Sequence, residues 1–274
     1  MKILVTNDDG ISAKGLECLV GILSRYGDIT VVAPKTAQSG MSMAVSMGLK
    51  PLAVAHAFDR PGQRWWYLDG TPASCVKYGL DNIFVSDRPD LVVAGINHGS
   101  NAATAAIYSG TVGAAMEGAV NGVPSIAVSL DSFDPDADFS VVEHYLPGLL
   151  DKLIPAISHR FGTLYNINFP AVPVSEVKGV RATTMGYAHW EREYRDYLPY
   201  MAEKKHTPSE ADKAYLAALL PGEEAVVMAG DFTDNGGNSP IADHLLLEQG
   251  WITVTPENID NTDKAELDRL CDII

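Results

Sequence analysis

Short apolar runs alternate with stretches of helical spacing from the first residues onward, and this alternation constrains the fold more than any other feature of the sequence. Ile3-Leu4-Val5 reads as a strand; Leu16, Leu19, Val20 and Leu23 then recur at helical spacing, with Ser12 as N-cap and Gly27 past the end. Strands follow at Ile29 to Ala33, stopped by Pro34, and at Trp65 to Leu68. A turn at Gly70-Thr71-Pro72 opens a helix carrying Val76, Leu80, Ile83 and Phe84, with Pro72 in its first position. Leu91 to Ala94 is strand, a helix runs from about Ser109 to Asn121 with Val112, Ala115, Met116 and Ala119 on one face, and Ser125 to Leu130 is strand again. Strands that are apolar throughout are buried on both faces, which predicts an α/β protein with a mostly parallel sheet and helices on both sides.

Past Leu130 the pattern loosens. Val141 to His159 reads as a helix broken or offset by Pro147 and Pro155, and Tyr165 to Phe169 as a strand. Residues 186–222 carry dense charge with Tyr187, Trp190, Tyr194, Tyr197, Tyr200 and Tyr215 and no βα alternation, so they read as an arm. Strands are expected at Ala225 to Ala229 and Trp251 to Val254, around a helix from Asp243 to Gln249 capped by Gly250. This divides the chain into a core over 1–185 and a C-terminal extension over 186–274, with a helix and a strand near its end.

The charge balance narrows the partners. Lys and Arg number 20 against 35 Asp and Glu, a net charge of −15, which argues against a nucleic-acid polymer because such binding draws on phosphate neutralisation. A small anion bound through a cation stays open. The cysteines, Cys18, Cys75 and Cys271, are odd in number and widely spaced, which fits free thiols in a reducing compartment and so a cytoplasmic protein. The start reaches Asn7-Asp8-Asp9 too early for a signal-peptide core, and no run approaches the roughly 18 apolar residues of a membrane span.

Three polar loops follow strands that a parallel sheet would end on one edge. Asn7-Asp8-Asp9-Gly10 follows the opening strand, Gln38-Ser39-Gly40 comes soon after Ala33, and Gly95-Ile96-Asn97-His98-Gly99-Ser100-Asn101 follows Ala94. Carboxylates from one loop, a hydroxyl from another and an amide oxygen from the third form an all-oxygen set suited to one hard divalent ion such as Mg²⁺, Mn²⁺ or Ca²⁺. Taken alone, the Asp pair would equally serve an Asx turn capping the next helix. Adjacent carboxylates can face one ion only if the chain leaves the strand there, as Gly10 permits. Ser109-Gly110-Thr111 opens a helix just downstream of the third loop. Its free N–H groups and hydroxyls suit a phosphate, although simple N-capping explains the same residues.

Sharper motifs are absent. There is no G-x-G-x-x-G, P-loop or G-x-S-x-G. Asp134-Pro135-Asp136-Ala137-Asp138 imitates the start of an EF-hand but has Phe139 where glycine is needed, so it reads as a solvated acidic loop. His98 stands out among scattered histidines because it adjoins Asn97 and could act as a general acid. The aromatic stretch from Tyr187 to Tyr200 reads as a subunit contact or sheet packing in preference to a stacking site for a base.

These residues, in this order, resemble the SurE survival proteins, a family of metal-dependent nucleoside-monophosphate phosphatases. The resemblance rests on Ile3 to Ile11, Ala33-Pro34 with Gln38-Ser39-Gly40, Asp69 to Ala73 with Cys75-Val76, Gly95-Ile96-Asn97 with Gly99 and Asn101, Tyr108 to Ala115, Asn166 to Pro170, and Asp243 with Gly250 and Thr253 to Pro256. It implies a Rossmann-like core and a C-terminal extension that assembles a homodimer or homotetramer. It further implies one divalent ion held by Asp8, Asp9, Ser39 and Asn97. This chain carries Ala103 and Ala105 where the family usually has Gly and Asp, and Ala242 where it has Thr.

Together the residues and the resemblance give the expected activity: hydrolysis of nucleoside 5′- and 3′-monophosphates to nucleoside and phosphate. Asp8 and Asp9 are the catalytic carboxylates, and Asn101, Ser109, Gly110 and Thr111 hold the phosphate. Attack by water, with Asp9 orienting or deprotonating it, and an aspartyl-phosphate route both stand at this level. The alternative is a metal-dependent nucleotide sensor that binds without cleaving, which Ala103 and Ala105 keep open.

Overall fold

Apolar residues in the strands alternate between two buried faces, and helices cover both. The computed structural model describes residues 1–48 and 50–274. In chain order the first elements are β1 (Lys2–Thr6), α1 (Lys14–Leu23), β2 (Asp28–Pro34), β3 (Val54–Arg60), β4 (Gln63–Leu68) and α2 (Pro72–Tyr78). They are followed by β5 (Leu91–His98), α3 (Ala105–Tyr108), α4 (Gly110–Val120), β6 (Ser125–Leu130), α5 (Ser140–Leu153), β7 (Thr163–Phe169) and β8 (Gly179–Ala182). Ile3, Val5, Val31, Val93 and Ile126 pack with Leu16 and Leu19 of α1 and Leu146 and Leu150 of α5. Leu4, Val32, Val92 and Ala127, one residue out of phase, pack with Val76 of α2 and Val112 and Ala115 of α4. A period of two within each strand produces this division.

Two compact units form: Met1–Gly186 with Asn238–Ile274, and Tyr187–Gly237. The second unit pairs β9 (Ala188–Glu191) with β12 (Asp231–Asp234) and β10 (Tyr194–Asp196) with β11 (Val226–Met228), both antiparallel. Between them lie α6 (Tyr197–Glu203) and α7 (Glu210–Ala217), the latter opened by a capping box of Ser209 and Asp212. Where the sequence reading grouped all of 186–274 as an extension, residues 238–274 belong to the first unit. They form α8 (Asp243–Glu248), β13 (Trp251–Asn258) and α9 (Lys264–Cys271), and β13 enters the main sheet between β7 and β8.

Among the described residues that sheet has nine strands, in the order β3-β4-β2-β1-β5-β6-β7-β13-β8. All neighbours are parallel except β3 on β4 and β13 on β7. β1 pairs with β2 on one side and β5 on the other, so the connections reverse direction there. In open α/β sheets a ligand crevice opens at such a reversal, outside the carboxyl ends of the strands. Asp8 and Asp9 follow the end of β1, and Asn97 lies at the end of β5 itself, which runs past a register break after Ala94 where the sequence suggested a loop.

Three local readings change. The N-cap of α1 is Ala13, without a side-chain cap, because its N–H closes a turn onto the Gly10 carbonyl and starts the helix one residue later than Ser12 would. α5 runs through Pro147 without a break and ends in a 3₁₀ turn at Ile154–Ala156. β3 and β8, unrecognised in sequence, are exposed strands with little apolar alternation.

The loop after β2 is fixed on α4 by close approach. A Cβ on Gly113 would stand 2.0 Å from the Ser42 carbonyl oxygen, and Ser42 also bonds through its N–H and Oγ to the carbonyls of Tyr108 and Ile107. Gly113→Ala is therefore expected to lift this loop and to cost about 1–3 kcal/mol, as overpacking does. Denaturant unfolding should show that loss and limited proteolysis should show faster cleavage within 38–54; unchanged values would contradict the packing argument.

Candidate active site

β1 ends by turning sharply. Asn7 Nδ2 donates to the Gly10 carbonyl at 3.0 Å and Gly10 N–H donates back to Asn7 Oδ1 at 3.2 Å, while Gly10 sits at φ +99°, in the region glycine favours. The two aspartates between them thus leave the strand. The Ile11 N–H donates to the Pro34 carbonyl, and the Gln38 N–H to the Asp8 carbonyl at 2.7 Å, which joins the loop after β2 to the loop after β1. Ser39, the next residue, is exposed.

Asp8 is 4% exposed, and its Oδ1 accepts from Thr111 Oγ1 at 2.6 Å. Gly110 lies against it: a Cβ there would be 3.0 Å from Asp8 Cβ and 3.2 Å from the Gln38 carbonyl oxygen. The start of α4 therefore faces the Asp8 carboxyl. Burial pushes Asp8 up from 3.8 to about 6; the Thr111 hydroxyl opposes this and the Asp9 charge adds to it. Such a carboxylate lacks a compensating positive charge, and its surroundings fit a cation.

Asp9 Oδ2 lies 3.2 Å from His98 Nδ1, and the His98 ring stands edge-on to Phe139 with centroids 5.4 Å apart. Asn97 Nδ2 donates to the carbonyls of His98 and Gly99, at 3.1 and 2.7 Å, which orients the side-chain oxygen away from both. Among the described residues no group of three or more His, Cys, Asp or Glu could hold an ion. The expected set instead combines two carboxylates with a hydroxyl and an amide oxygen, all hard donors.

Of the expected phosphate contacts, the structure divides the work. Ser109 caps α4, its Oγ accepting from Val112 N–H at 3.1 Å. Thr111 is fully buried against Asp8, so its hydroxyl positions that carboxyl. Asn101 is 6% exposed and braced: its N–H donates to Asn168 Oδ1 at 2.7 Å, its Nδ2 to Ser129 Oγ at 2.8 Å, and its carbonyl accepts from Asn166 Nδ2 at 2.8 Å. The sequence reading missed the Asp9–His98 pair and this brace. Asn166 and Asn168, two apart in an otherwise apolar strand, were the available signal for the brace.

A second buried carboxylate holds the same loop from behind. Both oxygens of Asp243 accept from the Ala103 N–H at 3.0 Å, and Oδ1 accepts from Gly186 and His244 N–H. Ala103 sits at φ +52°, the left-handed region that favours glycine.

The SurE family model, described as "Survival protein SurE", matches residues 3–192. The chain belongs to the SurE family. It is 35% identical over 270 residues to the 5'-nucleotidase SurE of Thermosipho africanus, covering 98% of this chain and 96% of that protein. With the 5'-nucleotidase SurE of Nitratidesulfovibrio vulgaris the identity is 39% over 272 residues, covering 98% and 91%. The crystal structure of the SurE protein from Aquifex aeolicus superposes with a TM-score of 0.77 at 27% identity, covering 100% of this chain and 99% of that one.

Glu257 of β13 closes the brace and gives it a pH dependence. Its Oε1 accepts from Asn166 Nδ2 at 2.9 Å while Oε2 is buried without a hydrogen-bond partner. Burial pushes it from 4.5 to about 7, the Asn166 hydrogen bond opposes this, and the Asp243 charge adds to it. A raised folded-state value means the stabilisation is fully present below pH 4.5 and is lost as pH rises through about 7. Glu257→Gln keeps an acceptor and removes the charge, so it should flatten this loss and exceed the parent at about pH 8 by up to about 3 kcal/mol. Chemical denaturation across that range checks it; a parent with flat stability, or a less stable variant at high pH, would contradict the assignment.

Proposed function

We propose that this SurE-family chain hydrolyses nucleoside monophosphates to nucleoside and phosphate, with one hard divalent ion. The observation that carries the reading is the buried Asp8 carboxyl, short of positive charge, facing the first turn of α4. The carboxyl would take a cation and the helix start an anion, side by side. Asp8, Asp9, Ser39 and Asn97 would hold Mg²⁺ or Mn²⁺, and their all-oxygen chemistry fits such an ion. A bound ion of this kind polarises the phosphoryl group and eases deprotonation of water.

The protein's own groups supply the rest. Thr111 fixes the Asp8 rotamer through its 2.6 Å hydrogen bond. The Gly110 N–H, among the first of α4 and without an intrahelical partner, and the Ser109 O–H can donate to phosphate oxygens. Asn101 acts through the brace, holding the loop that follows Asn97. Asp9 accepts the proton of the attacking water, and His98, 3.2 Å away, orients it. The nucleotidase names of the chain's relatives favour turnover over a sensor that binds without cleaving.

The second unit supports assembly into a dimer or tetramer: Tyr187, Tyr194, Leu198, Tyr215, Leu220 and Met228 are exposed there. Cys18, Cys75 and Cys271 are free thiols, consistent with a reducing cytoplasm. No helix among the described residues is long and apolar enough to cross a membrane.

Timed phosphate release from nucleoside monophosphates with Mg²⁺ or Mn²⁺, with and without chelator, tests the reading. Asp9→Asn should lower kcat by about 10²–10⁴-fold, the range for a lost general base, with unfolding unchanged. Full turnover in chelator by that variant would end the proposal.

A further inference from the structure

Large apolar side chains stand exposed on three segments near the proposed site in sequence or contact: the loop after β2, the end of α3 and the loop after β6. Met41, two residues past Ser39, is 38% exposed; Tyr108, directly before Ser109, is 62% exposed; and Phe133, on the loop after β6, is 75% exposed. Single exposed apolar residues are ordinary on a protein surface, but these three flank one polar centre.

Phe133 is the one with a fixed mount. A Cβ on Gly99 would stand 2.4, 2.8 and 3.0 Å from three adjacent carbons of its ring, so the ring rests on bare backbone that only glycine allows. Gly99 N–H donates to the carbonyls of both Leu130 and Ser132, at 2.8 and 2.9 Å, and the Gly99 carbonyl accepts from Asn97 Nδ2. A short rigid chain thus links a proposed ion ligand to an aromatic ring that remains largely open to solvent. An aromatic held this way loses little freedom when a flat partner settles on it.

We infer that Phe133 stacks on the base of the bound nucleoside monophosphate, forming a base subsite beside the phosphate centre. The inference rests on the nucleotidase reading and extends it to what the enzyme recognises beyond phosphate. Every base has a π-face, so a single stacking platform accepts purines and pyrimidines alike and favours nucleotides over phosphate esters without a base.

The test compares adenosine 5′-monophosphate with ribose 5-phosphate in the full-length parent, Phe133→Ala and Phe133→Trp. Phe133 is exposed, so its removal leaves no core cavity. In Phe133→Ala the KM for the nucleotide should rise about 5- to 100-fold with kcat little changed, since the contact is equal in ground and transition states. The KM for ribose 5-phosphate should not move, and Phe133→Trp should restore the nucleotide KM. An unchanged nucleotide KM, an equal rise for both substrates, or failure of Trp to restore it would overturn the base subsite while leaving phosphate release by the parent intact. A parent that cleaves neither substrate overturns the nucleotidase reading itself, and this inference with it.

Discussion

The carboxyl of Asp8 sets the terms for the whole carboxyl edge of the sheet. A buried carboxylate is unfavourable unless hydrogen bonds or an opposite charge compensate it. Here the neighbours offer a hydroxyl from Thr111 and the start of α4, both of which lower its pKa, yet burial still wins and holds the group near 6. Gly110, without a side chain, lets the helix pack directly on the aspartate and contributes to its burial. The same arrangement that makes the apoprotein electrostatically unsatisfied makes it receptive to a doubly charged ion, which would favour the ionised form.

Such a centre requires loops that do not drift, and most of the polar groups behind it serve that end. Asn101 is tied at its N–H, carbonyl and side chain to Asn168, Asn166 and Ser129. Asn166 in turn bridges to Glu257, and Asp243 grips Ala103 across 140 positions of sequence. These partners stand on β6, β7, β13 and α8, so the strand that returns after the second unit contributes the back wall of the loop that follows Asn97. Antiparallel pairing of β13 with β7, Thr253 opposite Asn168 and Thr255 opposite Asn166, is what brings them into register.

Sequence patterning was legible where burial is two-sided. β1, β2, β5 and β6 are apolar throughout because helices cover both faces, and their order placed Asp8, Asp9 and Asn97 on one edge without any coordinates. Edge strands escaped: β3 and β8 have mostly exposed residues, and nothing in Val54–Arg60 or Gly179–Ala182 distinguishes them from loop. The place of β13 in the sheet was equally hidden, because insertion between β7 and β8 depends on partners more than 80 residues away in one direction and on a preceding independent unit. At the site, residue types announced the chemistry, but which groups stay open, such as Asp9, and which only position others, such as Thr111 and Asn101, depends on contacts across the fold.

The alanine at position 103 shows how such bracing tolerates a change in the loop itself. A non-glycine residue in the left-handed region costs roughly 1–2 kcal/mol. Its N–H, however, donates to both oxygens of a fully buried carboxylate, and hydrogen bonds to charged groups contribute about 1.5–3 kcal/mol. The second term is of the same size as the first or larger over most of its range, which fits the turn keeping its shape with alanine in it. Asp243 is in turn held by Gly186, His244 and Thr255, so the acceptor behind Ala103 is itself fixed in the core. Alanine at this position therefore leaves the loop between Asn97 and Ala103 braced, provided the buried acid behind it remains.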